Sequence, residues 1–246
     1  MTAKYRSVDH PQFFEFHDSS LKLVFLTEDS ISVYADCLNI SKDAEQNPKR
    51  IDLEIKKAHI TFYGVSDVTY EPGHTWKTDE QGNSVPVGPR IIFNGKEALK
   101  RISNELENGM EVFSHQIVDG DHFVLSGSGI EPYFDIMFKA ERFTVEWNEY
   151  AGPAWYELTK QFKKEMIVST PNGDVKTEVH FITAYDSDEL YYADDPDSVL
   201  PKAVSVGMKY ADKQYWGHGN DRSGQEAFSD LQKQLPDGIV LNYPLS

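Results

Sequence analysis

Cysteine is nearly absent: Cys37 stands alone, so the chain can close no internal disulfide and build no cysteine cage for zinc. That scarcity points to a reducing compartment. Long apolar runs are missing as well. Nowhere do eighteen apolar residues follow one another, and none gather behind the basic residues of Met1-Thr-Ala-Lys-Tyr-Arg6, which supports neither a membrane span nor a secretion signal. The chain reads as soluble and cytoplasmic. Basic charge is the third shortage: 24 Lys and Arg against 40 Asp and Glu leave a formal net charge of −16. Such a field repels nucleic-acid backbones and anionic lipid and draws basic partners. Nucleic acid and membrane are therefore not expected as partners, and a basic protein is.

Complete catalytic signatures are missing too. No H-x-x-x-H spacing falls on a helical stretch, no G-x-S-x-G occurs, and Cys37 has no adjacent histidine to activate it. No cofactor or metal is expected from any motif. Paired carboxylates for sugar hydrolysis stay open, because with 40 acids many pairs can converge in space.

What is present is the pattern of a β-rich protein. With 39% apolar and 13% aromatic residues in 246, the chain is long enough for one large domain or two smaller ones, and two modules are preferred. Leu21 to Leu26 and Ile31 to Leu38 flank the turn Glu28-Asp29-Ser30. Ile51, Leu53 and Ile55, then Ala58, Ile60 and Phe62, alternate with polar residues, as do Phe134, Ile136, Phe138 and Phe143, Val145, Trp147; period two predicts strands with one face buried. Asp119-Gly-Asp121 and Pro171-Asn-Gly-Asp174 read as hairpin turns. Between Glu71 and Pro89, repeated Pro and Gly predict an extended excursion, and long loops are often functional. Ile91-Ile-Phe93 then reads as a short strand.

Two helices are predicted. Near 96–108, Ala98, Leu99, Ile102 and Leu106 share a face behind an Asn94/Glu97 capping box, and Asn108-Gly109 stops the helix. Near 223–235, Phe228, Leu231 and Leu235 form a stripe behind a Ser223/Glu226 box. That helix lies within strand Ala203 to Tyr210, a glycine-rich loop Trp216-Gly-His-Gly-Asn-Asp221, the helix itself, and strand Ile239 to Tyr243. Tyr150-Ala-Gly-Pro-Ala154 marks the boundary, and Trp155, Tyr156, Leu158 and Phe162 after it could be either a free linker or a short packed helix bridging the modules. The expected fold class is α+β: residues 1–152 as a mainly antiparallel sheet with one covering helix, and 153–246 as a smaller sheet-plus-helix module.

The densest candidate chemistry is His218, Asn220, Asp221 and Arg222, placed before a helix whose free N–H groups attract anions. Arg222 could hold an anion and His218 act as acid or base. The lysine and hydroxyl of a Walker loop are absent, and a dinucleotide fingerprint would need Gly or Ala where Arg222 stands. The structural alternative is that the glycines permit positive φ and that Ser223 with Glu226 caps the helix. A second candidate is His17, Asp18 and Ser19. In extended backbone His17 and Asp18 point to opposite faces, which prevents an oriented dyad, while His17 and Ser19 share one; the alternative there is a capped turn. Asp186 to Asp197 invites a calcium site, but Leu190 and Tyr191 stand where an EF-hand needs an oxygen ligand and glycine, so a solvated loop is expected. His115 and His180 read as packing or surface groups.

Phe16-His-Asp-Ser19, with Leu21 and the alternating strands after it, resembles the opening of small β-rich bacterial proteins, some grouped with immunity proteins of polymorphic toxin systems. Lys209-Tyr210 through Tyr215-Trp-Gly-His-Gly-Asn220 and Glu226 to Pro236 look like an uncharacterised bacterial domain family with the same strand, loop and helix. Neither resemblance supplies catalytic residues. Together with the charge, the first implies a non-catalytic, immunity-like cytoplasmic binding protein for a basic protein partner. The alternative is an enzyme or small-ligand binder using residues 218–222.

Overall fold

A computed structural model describes residues 3–242, which fall into two compact units, Met1–Ala151 and Gly152–Ser246. Met1 and Thr2 of the basic N-terminal stretch, and Tyr243 of the expected last strand, lie outside the described residues. The architecture is β-rich α+β, and every strand pairing whose register is described is antiparallel.

In chain order the first unit contains β1 (Tyr5–Val8), β2 (Phe14–Glu15), β3 (Ser20–Leu26), β4 (Ser30–Asp36), β5 (Leu38–Ile40), β6 (Leu53–Ile55), β7 (Ala58–Tyr63) and β8 (Ser66–Pro72). Then come β9 (Thr75–Thr78), β10 (Ser84–Val87), β11 (Phe93–Asn94), helix α1 (Gly95–Asn108), β12 (Met110–Val118), β13 (His122–Ser128), β14 (Phe134–Lys139) and β15 (Arg142–Trp147), and β16 (Tyr150–Pro153) runs through the division. Ten strands form one sheet in the order β1-β15-β7-β4-β3-β12-β13-β14-β8-β11, and β16-β6-β5-β2 form a smaller one. β9 and β10 pair only with each other, as a separate two-stranded ribbon.

The alternating residues do what their period demands. Ile31, Val33, Ile60, Phe62, Phe138 and Val145 are buried, and α1 lays Ala98, Ile102 and Leu106 over that side of the sheet. Asn94 occupies the N-cap position of α1, but its side chain makes no capping bond; at the other end Gly109 takes φ 90°, which only glycine adopts without strain. One charged residue of α1 faces inward. Glu105 is 3% exposed and accepts hydrogen bonds from the Tyr70 hydroxyl at 3.0 Å and the Ile130 amide at 2.7 Å, fastening helix to sheet. The expected strand at residues 91–93 shrinks to Phe93–Asn94, with Ile91 and Ile92 exposed.

The second unit contains β17 (Thr159–Thr170), β18 (Gly173–Ala184), α2 (Ser187–Tyr192), β19 (Ala203–Tyr210), β20 (Lys213–Gly219), α3 (Gln225–Gln234) and β21 (Val240–Leu241), with strand order β20-β19-β18-β17-β21. Met166, Val179, Val206, Met208, Phe228 and Leu231 belong to the core between this sheet and α3.

Three expectations are corrected here. The stretch Trp155 to Phe162 is not a helix: a 3-10 turn covers only Trp155–Leu158, and Phe162 lies in β17 opposite Phe181, their rings stacked at 4.8 Å, a cross-strand aromatic pair that favours the sheet. The acidic stretch is not an open loop, because Asp186 caps α2 through the amides of Asp188 and Glu189, Leu190 is buried, and Asp195 caps a 3-10 turn at Pro196–Ser198. Trp216 to Gly219 is strand, not loop. Gly217 and Gly219 are needed there because α3 rides on the strand: a Cβ at Gly217 would collide with the Ala227 carbonyl and the Leu231 backbone, and one at Gly219 with the Ala227 amide nitrogen.

Candidate functional site: an acidic cleft on the first unit

The residues singled out at the end of the chain are held by structural bonds that diverge. His218 lies in β20 and bonds through Nδ1 to the Ser205 hydroxyl on β19 at 2.8 Å, while its amide donates to Asp230 at 3.1 Å. The Asn220 amide donates to Glu226 at 3.0 Å. Asp221 carries more of the α3 cap than Ser223: its carboxylate accepts from the amides of Gln225 and Glu226, each at 3.1 Å, and from the Ser223 hydroxyl, which itself accepts from the Gln225 amide at 3.3 Å. The hydrogen bond from Ser223, followed by burial acting the other way and the two amides, leaves the Asp221 carboxyl below its ordinary value. Arg222 reaches away to Glu189 on α2 at 2.6 Å.

The other candidate behaves differently from its expectation. His17 Nδ1 and Asp18 Oδ2 approach to 3.0 Å, because Asp18 adopts φ 64° and so leaves the extended conformation that would separate neighbouring side chains. Ser19 takes no part in that pair; it is fully buried and donates to the Cys37 carbonyl at 3.1 Å. A serine, histidine and acid do line up elsewhere. Ser32 Oγ lies 2.7 Å from His59 Nε2, and His59 Nδ1 lies 3.9 Å from Glu146, across β4, β7 and β15. Ser32 is nevertheless 0% exposed and also bonds Thr61 and the Ile60 carbonyl. On a sheet face the N–H groups lie in the plane of the ladder, so no donor pair faces an oxyanion there. The cluster is a cross-strand hydrogen-bond ladder, visible in the sequence only as the polar half of the period-two pattern.

The arrangement with the strongest directed chemistry is a cleft of about 460 Å³ lined by Glu71, Pro72, Gly73, His74, Phe113, Ser126, Tyr133 and Asp135. β8 and β14 place Glu71 and Asp135 directly opposite one another, and β13 sets Ser126 opposite Asp135. Phe113 and Tyr133, both exposed, stand with ring centroids 5.7 Å apart. Gly73 allows the chain to leave β8 at this point, since a Cβ would meet the Tyr133 side chain and carbonyl. A larger depression of about 640 Å³ follows the outer side of α1, but Glu97, Lys100, Arg101 and Glu107 interleave there and Arg101 pairs with Glu97 at 3.4 Å, so it presents no field of one sign.

Glu71 is the focus of the cleft. Its side chain is 8% exposed, and Arg90 places its fork on both carboxylate oxygens, while His74 Nε2 lies 3.4 Å away. The Arg90 hydrogen bonds outweigh burial and hold the Glu71 carboxyl below its ordinary value. Asp135 adds its field on Arg90 yet forms no ion pair of its own among the described residues. A general acid for sugar hydrolysis needs a carboxyl pushed upward; Glu71 is pushed the other way. In its pair with Arg90 the Glu71 carboxylate holds a cation. Among the described residues no three His, Cys, Asp or Glu side chains converge to hold a metal ion.

Comparison of the chain with protein-family models, with curated proteins and with solved structures finds no match. Sequence reasoning missed Glu71, Arg90, Tyr133 and Asp135 as a group. The irregular excursion from Glu71 to Pro89 was the one signal, and it reveals nothing of the register that sets Asp135 beside Glu71.

Proposed function

We propose that the protein is a non-catalytic binding protein of the reducing cytoplasm, immunity-like in that its acidic surface receives and masks a basic protein partner. The observation that carries this reading is the facing pair Glu71 and Asp135 in an aromatic-walled cleft. Like charges directly opposite in a sheet are destabilising, and a cation placed between them offsets that cost. The net charge of −16 extends the attraction beyond the cleft and speeds encounter with a basic surface. Two further features agree: the single cysteine suits a reducing compartment, and among the described residues no helix is long and apolar enough to cross a membrane.

The test uses the purified protein immobilised at low salt beside its Glu71→Gln/Asp135→Asn double variant, challenged with lysate of its native cells and with any toxin encoded next to it. A basic protein retained by the wild type, released by salt and lost by the variant supports the reading. Equal retention by both proteins, or no retention together with no protection of cells from the toxin, overturns it.

A further inference from the structure

Arg90 occupies the cleft from a segment that begins and ends there. After β8 the chain passes through Gly73 and His74, runs out and back as the β9–β10 ribbon, and returns through Gly88 and Pro89 to Arg90. The first residue of that excursion to touch Glu71 is His74 and the last is Arg90. An isolated two-stranded ribbon is marginally stable in water, so its attachment to the sheet depends on the groups at its root. Gly88 takes φ 86° beside Pro89, which concentrates the bend next to the arginine. The guanidinium is open to solvent: the Arg90 side chain is 63% exposed while the Glu71 side chain is 8% exposed.

The carboxylate is thus the fixed half of this pair and the arginine the removable half. A fork-to-fork contact shows that Glu71 presents both oxygens in the orientation a planar guanidinium needs, which an ammonium would use less well. Asp135 adds a second negative charge whose field reaches the same cation, and Phe113 and Tyr133 line the same cleft, aromatic surface of the kind that attracts a guanidinium.

We propose that the cleft is a receptor for an arginine side chain of the protein partner, and that Arg90 is its resident occupant, exchanged for the partner's arginine on binding so that the β9–β10 ribbon is released. This rests on the proposed function and adds to it both the chemical group recognised and a built-in competitor. Because only the fraction of molecules with an open cleft can bind, apparent affinity is reduced by that fraction. If Arg90 holds the cleft in roughly nine molecules of ten, removing it tightens binding about tenfold.

The experiment titrates the full-length protein at low salt with a fluorescent Arg-Gly repeat peptide and its Lys-Gly counterpart. The proteins compared are wild type, Arg90→Gln, Glu71→Gln and Asp135→Asn. The expected results are that Arg90→Gln binds the arginine peptide about tenfold more tightly, that Glu71→Gln loses the preference for arginine over lysine, and that Asp135→Asn binds more weakly. Amide exchange in residues 75–87 of the wild type should quicken when the arginine peptide is added. Unchanged or weaker binding by Arg90→Gln, or an arginine preference that survives Glu71→Gln, overturns the exchange while leaving the acidic partner site standing if Asp135→Asn still weakens binding. No binding of either peptide by wild type and by Arg90→Gln removes both. Melting curves of each variant establish that the cleft is folded in the comparison.

Discussion

Gly217 of β20 lies under Leu231 of α3 so closely that a Cβ on the glycine would overlap the Leu231 backbone nitrogen and Cα. The contact is backbone on backbone, so no side chain can rotate aside. Gly217→Ala should therefore destabilise the second unit by about 1–3 kcal/mol or more, read as a lower urea midpoint. A variant as stable as the wild type would show that the helix is not seated on the strand.

Leu231 itself is 0% exposed within the core beneath α3. Truncation to alanine removes three carbons and leaves a cavity that the sheet cannot close, at a cost of about 2–5 kcal/mol. Thermal or denaturant melting of Leu231→Ala reads this directly.

At the start of the same helix the two candidate caps are unequal. Asp221 takes the amides of Gln225 and Glu226 at 3.1 Å, while Ser223 donates to Asp221 and accepts from the Gln225 amide at 3.3 Å, so Asp221→Ala should lower the melting temperature more than Ser223→Ala. The reverse order would return the capping role to the serine.

Glu105 satisfies a hydroxyl and an amide at once. Glu105→Ala strands both donors, each worth about 1–3 kcal/mol when left unsatisfied, while Glu105→Gln keeps an acceptor and should recover part of the loss. Burial, then the hydrogen bond and charge of Glu105, push the Tyr70 phenol above its ordinary value of 10.0. A raised folded pKa means that this contribution is fully present below pH 10.0 and is lost as pH rises through the raised value. Alkaline spectroscopic titration should accordingly show one tyrosine fewer ionising late in Tyr70→Phe than in the wild type.

Acid should undo the Glu71 contacts. With the folded carboxyl depressed below its ordinary value of 4.5, the stabilisation is present above pH 4.5 and disappears as pH falls through the lower folded value. The melting temperature of Glu71→Gln should lie below that of the wild type at neutral pH, and the gap should close in acid. A gap independent of pH would place the effect in shape rather than charge.

Much of the sheet was legible because burial imposes period two: Ile60 and Phe62, or Phe143 and Val145, declare their face without knowledge of their neighbours. α1 was legible for the same reason at period 3.6. Trp216-Gly-His-Gly219 was misread because two glycines among polar residues look the same whether they serve a turn or the close approach of a helix, and that helix begins six residues later at Gln225. His17 and Asp18 were assigned to opposite faces on the assumption of extended backbone, which the left-handed Asp18 violates. The cleft was out of reach for a different reason. Glu71, Arg90 and Asp135 meet through strand register and a long return of the chain, and neither leaves a local mark.

β8 and β11 are adjacent antiparallel strands, with Phe93 paired to Tyr70 and Asn94 to Thr69. In sheet terms residues 73–92 are therefore one hairpin connection, far longer than the two strands require. Replacing them with a four-residue turn would lower the loop-closure cost by on the order of 1 kcal/mol and leave the ladder, α1 and the Glu105 contacts in place, but it would strip the buried Glu71 of Arg90 and His74. The excursion is therefore an appendage tied to the sheet at its root through one buried carboxylate, and its outer part, residues 75–87, is a position at which foreign segments can be grafted without disturbing that tie.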